Sequence, residues 1–224
     1  MKNGVNNLDD CKAKIGVTLV EMLVVLAVIT ILVSMVVAIA ARLDNQGKER
    51  LAKNTLALLS TALGQFKDYG YYYKTEKYRD FEFPIDCNDL DAGELENELG
   101  EALDMLGQVS ISGGSHDPNY SGSEALYFFL SQVPASRQVL DKIDDSLVTS
   151  EGSDKREMEI QIGDKRGPLR RIIDPWGETL RYSYYDNGYE ISREPPRDER
   201  RNFPIVTSAG PDRIFGTKDD ITNR

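Results

Sequence analysis

The chain has 224 residues, 40% of them apolar, with a formal net charge of -10 and a pI near 4.7. That length suffices for one globular domain with an appendage, or for two small domains. So acidic a balance argues against a nucleic-acid partner, whose phosphates need a surplus of lysine and arginine.

Residues 1–16 are polar, with Lys2, Lys12 and Lys14 set against Asp9 and Asp10. From Val17 to Ala41 the only ionisable residue is Glu21, and the only other polar groups are Thr18, Thr30 and Ser34. A helix over these residues would be roughly 37 Å long at about 1.5 Å per residue, enough to cross a hydrocarbon core of about 30 Å. No glycine or proline after Gly16 breaks it. A carboxylate inside such a segment is costly and marks function. An amine at Val17, in the same chain or a neighbouring subunit, would offset much of Glu21's desolvation. Basic residues on both sides (Lys2, Lys12 and Lys14 before; Arg42, Lys48, Arg50 and Lys53 after) leave orientation open by the positive-inside rule.

After Arg42 the pattern turns amphipathic. Leu51, Thr55, Leu58, Ala62, Phe66 and Tyr69 recur at three- and four-residue spacing, which predicts a helix packed on a globular head. Gly47 and Gly64 are its soft points. The expected element is one long helix from Val17 to about Tyr69, and the Tyr69–Tyr73 run reads as its exit. Asn88–Leu106 reads as an acid-rich, solvated helix, Gly113–Gly122 as a loop, and Ser123 as the N-cap of a short helix ended by Pro134. A further helix is expected over Arg137–Leu147 and a polar loop over Glu151–Arg156. Thr179–Tyr185 and Tyr189–Arg193 flank Asn187-Gly188, a hairpin signal. Glu194–Asn202 is then a loop and Pro204–Ser208 a third strand. The fold class is α+β: a long N-terminal transmembrane and assembly helix on a head with extra helices and a small antiparallel sheet. The segments are 1–16, 17–41, 42–69, a variable helical and loop region 70–168, and a sheet with its terminal loop at 169–224.

Nothing in the head has the pattern of an enzyme. The single histidine, His116, sits in a Gly/Ser/Asp loop and reads as solvated, and no phosphate loop, nucleophile elbow or metalloprotease motif is present. Trp176, in Asp174-Pro175-Trp176-Gly177, reads as a structural anchor. Cys11 and Cys87 form no disulfide framework, and Cys87 reads as a small buried hydrophobe. Near the C-terminus, Gly210 and Gly216 permit tight bends, so that Asp212 and Asp219 can converge across a compact loop. Such a loop suits calcium, which takes hard oxygens in irregular geometry, but it also suits a solvated acidic tail.

The string Gly16-Val17-Thr18-Leu19-Val20-Glu21 resembles the prepilin motif of type IV pilins and type II secretion pseudopilins, with Val17 where the family usually has Phe. The resemblance implies cleavage after Gly16 by a prepilin peptidase, N-methylation of Val17, and registration of each incoming subunit by Glu21. The Asp-Pro-Trp-Gly turn and the C-terminal string resemble the major pseudopilin of type II secretion. That likeness implies calcium, with Asp212 and Asp219 as side-chain ligands, carbonyls from Ala209 and Thr217, and Asp220 as a further contributor. Arg213 and Lys218 depart from it by adding positive charge.

The function implied is a structural subunit anchored once in the inner membrane, its head in the periplasm. It would polymerise with itself and other pseudopilins on the inner-membrane secretion platform. The alternatives are a type IV pilus or DNA-uptake pilin, the one reading with a nucleic-acid partner, and a signal-anchored, non-assembling calcium-binding surface protein. A secretory signal cut after Ala38-Ile39-Ala40 is a further competitor, set against the length of the apolar stretch and the presence of Glu21.

Overall fold

A computed structural model of the protein describes residues 19–70, 73–74, 81–184 and 203–224, with residues 37–43 described by their backbone only. The fold is α+β, as the sequence predicts. The chain divides into two units, Met1–Asp44 and Asn45–Arg224.

The first unit carries the start of α1, which spans Leu19–Tyr69. Its window Leu19–Val36 is long and apolar enough to cross a membrane. Large apolar side chains here stand 48% to 79% exposed, so nothing among the described residues of this unit covers them. The two hydroxyls are satisfied inside the helix: Thr30 Oγ1 donates to the Ala27 carbonyl and Ser34 Oγ to that of Ile31, each at 2.8 Å. Such internal pairing is what a hydrocarbon environment demands. The helix runs without interruption through Gly47 and Gly64, so neither soft point breaks it.

In the second unit, the amphipathic half of α1 buries Leu56, Leu59, Ala62, Leu63 and Phe66. They join one core with Leu95, Leu99 and Ala102 of α2 (Ala92–Leu103) and Leu126, Phe129 and Leu130 of α3 (Ser121–Gln132). Cys87 is also in this core, as expected. α2 is shorter than predicted because Asp91 caps it. Asp91 Oδ1 accepts from Glu94 N at 2.8 Å while Glu94 Oε2 accepts from Asp91 N at 3.0 Å, a reciprocal capping box.

Two expectations about the helices are corrected. Ser123 is not an N-cap. α3 starts two residues earlier, out of a 3-10 turn at Pro118–Tyr120, and the Ser123 hydroxyl instead exchanges hydrogen bonds with the backbone of Ile172. α3 does end before Pro134, as expected, at Gln132, and Pro134 also opens α4 (Pro134–Leu140), where its missing N–H costs nothing. The predicted helix over Arg137–Leu147 is therefore α4 followed by a 3-10 turn, Asp145–Leu147, capped by Asp144.

The region predicted as helices and loops also holds a sheet. β1 (Val109–Gly113), β3 (Met158–Ile162) and β4 (Lys165–Pro168) form it in the order β1-β3-β4, antiparallel throughout. The predicted loop from Gly113 thus begins as a strand end. Gly113, at φ +105°, and Gly114 let the chain pass so close to the Glu157 and Arg156 carbonyls that a side chain at either would collide. Both outer strands are guarded: Glu96 Oε1 accepts from Ile111 N at 2.6 Å on β1, and β4 ends in Pro168. β2 (Val148–Thr149) pairs with β5 (Arg171–Ile172).

The last sheet has the order β6-β7-β8, with β6 at Arg181–Ser183, β7 at Ile205–Ser208 and β8 at Ile221–Thr222. β6 pairs with β7, Tyr182 opposite Val206. The predicted Asn187-Gly188 turn, the strand Tyr189–Arg193 and the loop 194–202 lie outside the described residues. Tyr182 and Tyr73 fasten the segment 83–85 to the core: Tyr182 OH donates to the Pro84 carbonyl at 2.8 Å, and Tyr73 OH donates to that of Phe83 while accepting from Ile85 N.

Candidate functional site

Three places in the chain carry candidate function. The first is the start of α1. Gly16 and Val17 lie outside the described residues. Glu21 lies in the first turn of α1, where a carboxylate also complements the positive end of the helix dipole.

The second is the loop after β7. Ala209 is buried at the strand exit, and Gly210 follows at φ +70°. A side chain at Gly210 would run into the backbone of Asp219, so the loop closes on itself only because this position is glycine. Asp212 and Asp219 come together: Asp212 N donates to Asp219 Oδ2 at 3.1 Å, and Thr217 Oγ1 donates to Asp219 Oδ1 at 2.5 Å. The Thr217 hydroxyl, then the Asp212 amide, hold the Asp219 carboxyl below its ordinary pKa. Asp212 Oδ1 accepts from Ile214 N, and Asp220 Oδ2 from Gly216 N, each at 2.8 Å. Arg213 and Ile214 point outward as exposed residues, while Phe215 lies under the Arg181 guanidinium at 4.2 Å.

Among the described residues, no three histidine, cysteine, aspartate or glutamate side chains form a group able to hold a metal ion. The donor chemistry of the loop nonetheless suits a hard cation. Its carboxylates and the Thr217 hydroxyl offer oxygens, with Arg213 and Lys218 as the cationic exceptions, and Asp220 Oδ1 is buried with no hydrogen-bond partner among the described residues.

Upstream, the Asp-Pro-Trp-Gly turn anchors this loop. Asp174 Oδ1 accepts from Trp176 N and Glu178 N, and Asp174 Oδ2 from Ser208 Oγ at 2.7 Å. Trp176 is buried over the turn, the anchor that the sequence suggests.

The third place went unread in the sequence. His116 is not a solvated loop residue: its side chain is 4% exposed, and its Nε2 lies 2.8 Å from Oε2 of Glu124, which is 0% exposed. His116 Nδ1 and Glu124 Oε1 are buried with no hydrogen-bond partner among the described residues. Beside them Arg171 stacks on the Tyr120 ring at 3.7 Å. It donates through Nε to Thr179 Oγ1 at 3.1 Å and through Nη1 to the Glu151 carbonyl. Burial pulls the Arg171 pKa down, and the neighbouring Tyr120, Glu124, Glu151 and Asp117 oppose it. The available signal was Glu124 inside the apolar run Ala125-Leu126…Phe129-Leu130: it occupies a helix face that the apolar spacing sends inward.

No curated protein and no solved structure matches the chain. Residues 11–37, which include Gly16, Val17 and Glu21, match the family model described as the prokaryotic N-terminal methylation motif. The chain thus carries a prepilin-type methylation motif that runs into an apolar helix of spanning length, which supports a membrane-anchored, type IV pilin-like protein.

Proposed function

We propose that the chain is a non-enzymatic structural subunit, a pseudopilin that polymerises through α1 into a periplasmic pseudopilus serving type II secretion. The observation behind this reading is that the methylation motif at residues 11–37 leads into an apolar helix whose side chains nothing among the described residues of its own unit covers. Exposed apolar area on that scale calls for lipid before assembly and for other helices after it. On this reading a prepilin peptidase cuts after Gly16, the new amine at Val17 is methylated, and Glu21 meets the amine of a neighbouring subunit. The inner membrane then holds the subunit once, its head in the periplasm, until the secretion platform adds it to the filament.

Intact mass after co-expression with a prepilin peptidase tests the processing step. The expected product starts at Val17 and carries one methyl group. A start at Ala41 supports a secretory signal instead, and an uncut chain a simple anchor. Glu21→Ala is expected to leave the head folded while abolishing cross-links between cysteines placed in adjacent α1 helices; normal cross-linking would rule out the amine pairing.

The same reading gives the C-terminal loop a calcium ion, held by the Asp212 and Asp219 carboxylates and the Ala209 and Thr217 carbonyls, with Asp220 in support. The buried, unpartnered Asp220 Oδ1 favours it. Calcium at about 1 mM, the working range of extracellular modules, would then raise the Tm of the full chain in detergent micelles relative to chelator. Equal Tm values in calcium and in chelator would remove the ion and leave the subunit assignment standing.

A further inference from the structure

An amide side chain just after the last strand reaches across to helix α1. Asn223 directly follows β8. Its Oδ1 accepts from Val206 N at 3.0 Å, and its Nδ2 donates to the Pro204 carbonyl at 3.1 Å and to Ser60 Oγ at 3.0 Å. Its backbone N–H donates to the Val206 carbonyl at 3.2 Å. A carboxamide has two donor hydrogens and one acceptor oxygen, so every hydrogen-bonding group of this side chain type is engaged.

These bonds do two different jobs. The register of β7 with β8 is Thr207 opposite Thr222 and Ser208 opposite Ile221. The bonds to Val206 and Pro204 extend that pairing by side chain beyond the end of the ladder. The bond to Ser60 leaves the sheet altogether. Ser60 lies on α1 next to Leu59, and near Leu56 and Leu63, all three fully buried in the core.

We infer that Asn223 is the positioning residue through which the C-terminal loop holds α1. The chain between them is short. Asp219 and Asp220 close the loop, and only Ile221 and Thr222 separate Asp220 from Asn223. A two-residue strand has little slack to absorb a displacement. When the loop opens, β8 shifts, and the Asn223 amide is withdrawn from Ser60. When it closes, the amide returns and steadies the middle of α1's buried half. The consequence for assembly rests on the reading of α1 as the polymerising helix. There the closed loop would fix the helix against the head before a subunit is added.

Hydrogen–deuterium exchange on the full chain in detergent micelles tests the tie without any metal. Asp219→Ala loosens the loop at its closing contact. It is expected to speed exchange in residues 209–220 and also in α1 at residues 58–64, by about three- to tenfold, as one lost hydrogen bond would. Ser60→Ala should speed the α1 stretch alone. The double variant should exchange no faster in α1 than Ser60→Ala does. Asn223→Ala should affect both α1 and β7; where it fails to fold, the Ser60 series carries the test. An α1 stretch unmoved by Asp219→Ala, or an effect that adds fully to that of Ser60→Ala, overturns the inference. Either result leaves processing at Val17 and polymerisation untouched, and a failure of calcium to bind leaves the exchange experiment unchanged.

Discussion

The head contains two clusters of charge that are stabilised by opposite means. In the C-terminal loop, Asp212, Asp219 and Asp220 sit within nine residues of one another and take their hydrogen bonds from the loop's own amides and hydroxyl. Around Glu124, the partners come from three separate elements: His116 from the loop before the 3-10 turn, Glu124 from α3, and Arg171 from β5. The first cluster lies at the surface and takes most of its hydrogen bonds from a few local donors. The second is sealed, and each charge depends on a partner brought from elsewhere in the chain. Loss of a carboxylate should therefore cost far more in the second cluster than in the first.

The sharpest way to break this contrast is Glu124→Ala. It leaves the buried Arg171 guanidinium without a neighbouring buried carboxylate and His116 Nε2 without its hydrogen-bond partner. Stripping one member from a buried charged group costs about 3–5 kcal/mol. For a head of this size that lowers Tm by roughly 10 °C. Thermal unfolding of the full chain in micelles, followed by near-ultraviolet circular dichroism, reads it. A loss of under about 1 kcal/mol would mean that the cluster tolerates an empty place, and the contrast with the loop would collapse.

Asp174 sharpens the comparison from between the two. It is buried like Glu124, but neutral donors satisfy it: two backbone amides and the Ser208 hydroxyl. Asp174→Ala should cost about 2–3 kcal/mol, less than Glu124→Ala, because the groups left behind are uncharged. Asp174→Asn keeps an acceptor for both amides and should cost about 1 kcal/mol or less. If the two alanine variants lose equal stability, the charge of the abandoned partners is not what sets the cost.

The same distinction explains what the sequence disclosed. The loop was legible because glycine, proline and aspartate act over a few residues, and Gly210 is required where the chain turns back on Asp219. Both halves of α1 were legible because a helix writes its environment into its own spacing. The β1-β3-β4 sheet was missed although Met158-Glu159-Ile160-Gln161-Ile162 alternates with period two, because the run is short and lies between charged turns. Ser123 was misread as a cap because the same hydroxyl that caps a helix can also exchange bonds with a strand, here at Ile172. The His116–Glu124–Arg171 cluster could not be assembled from sequence at all. Its members are 8 and 47 positions apart along the chain, and only tertiary pairing explains how Glu124 is buried.

The smallest expected effect lies in acid and belongs to the exposed carboxylates. The Ser115 amide, then the Arg156 guanidinium, lower the Asp154 pKa to about 2, and Thr217 and Asp212 lower that of Asp219. A carboxyl whose pKa is lower folded than unfolded binds fewer protons in the folded state. Its contribution is fully present above the ordinary carboxylate pKa of about 3.9 and is lost as pH falls through the lowered value. The window for Asp154 therefore runs from about pH 4 down to about pH 2. Asp154→Asn and Asp219→Asn should each leave Tm unchanged in its slope above pH 5 and make its decline below pH 4 shallower. Both groups are open to solvent, so added salt should weaken the contribution of the Asp154–Arg156 pair in the unmodified chain. An acid-side decline with the same slope in both asparagine variants as in the unmodified chain would assign the acid sensitivity of the head to its buried carboxylates instead.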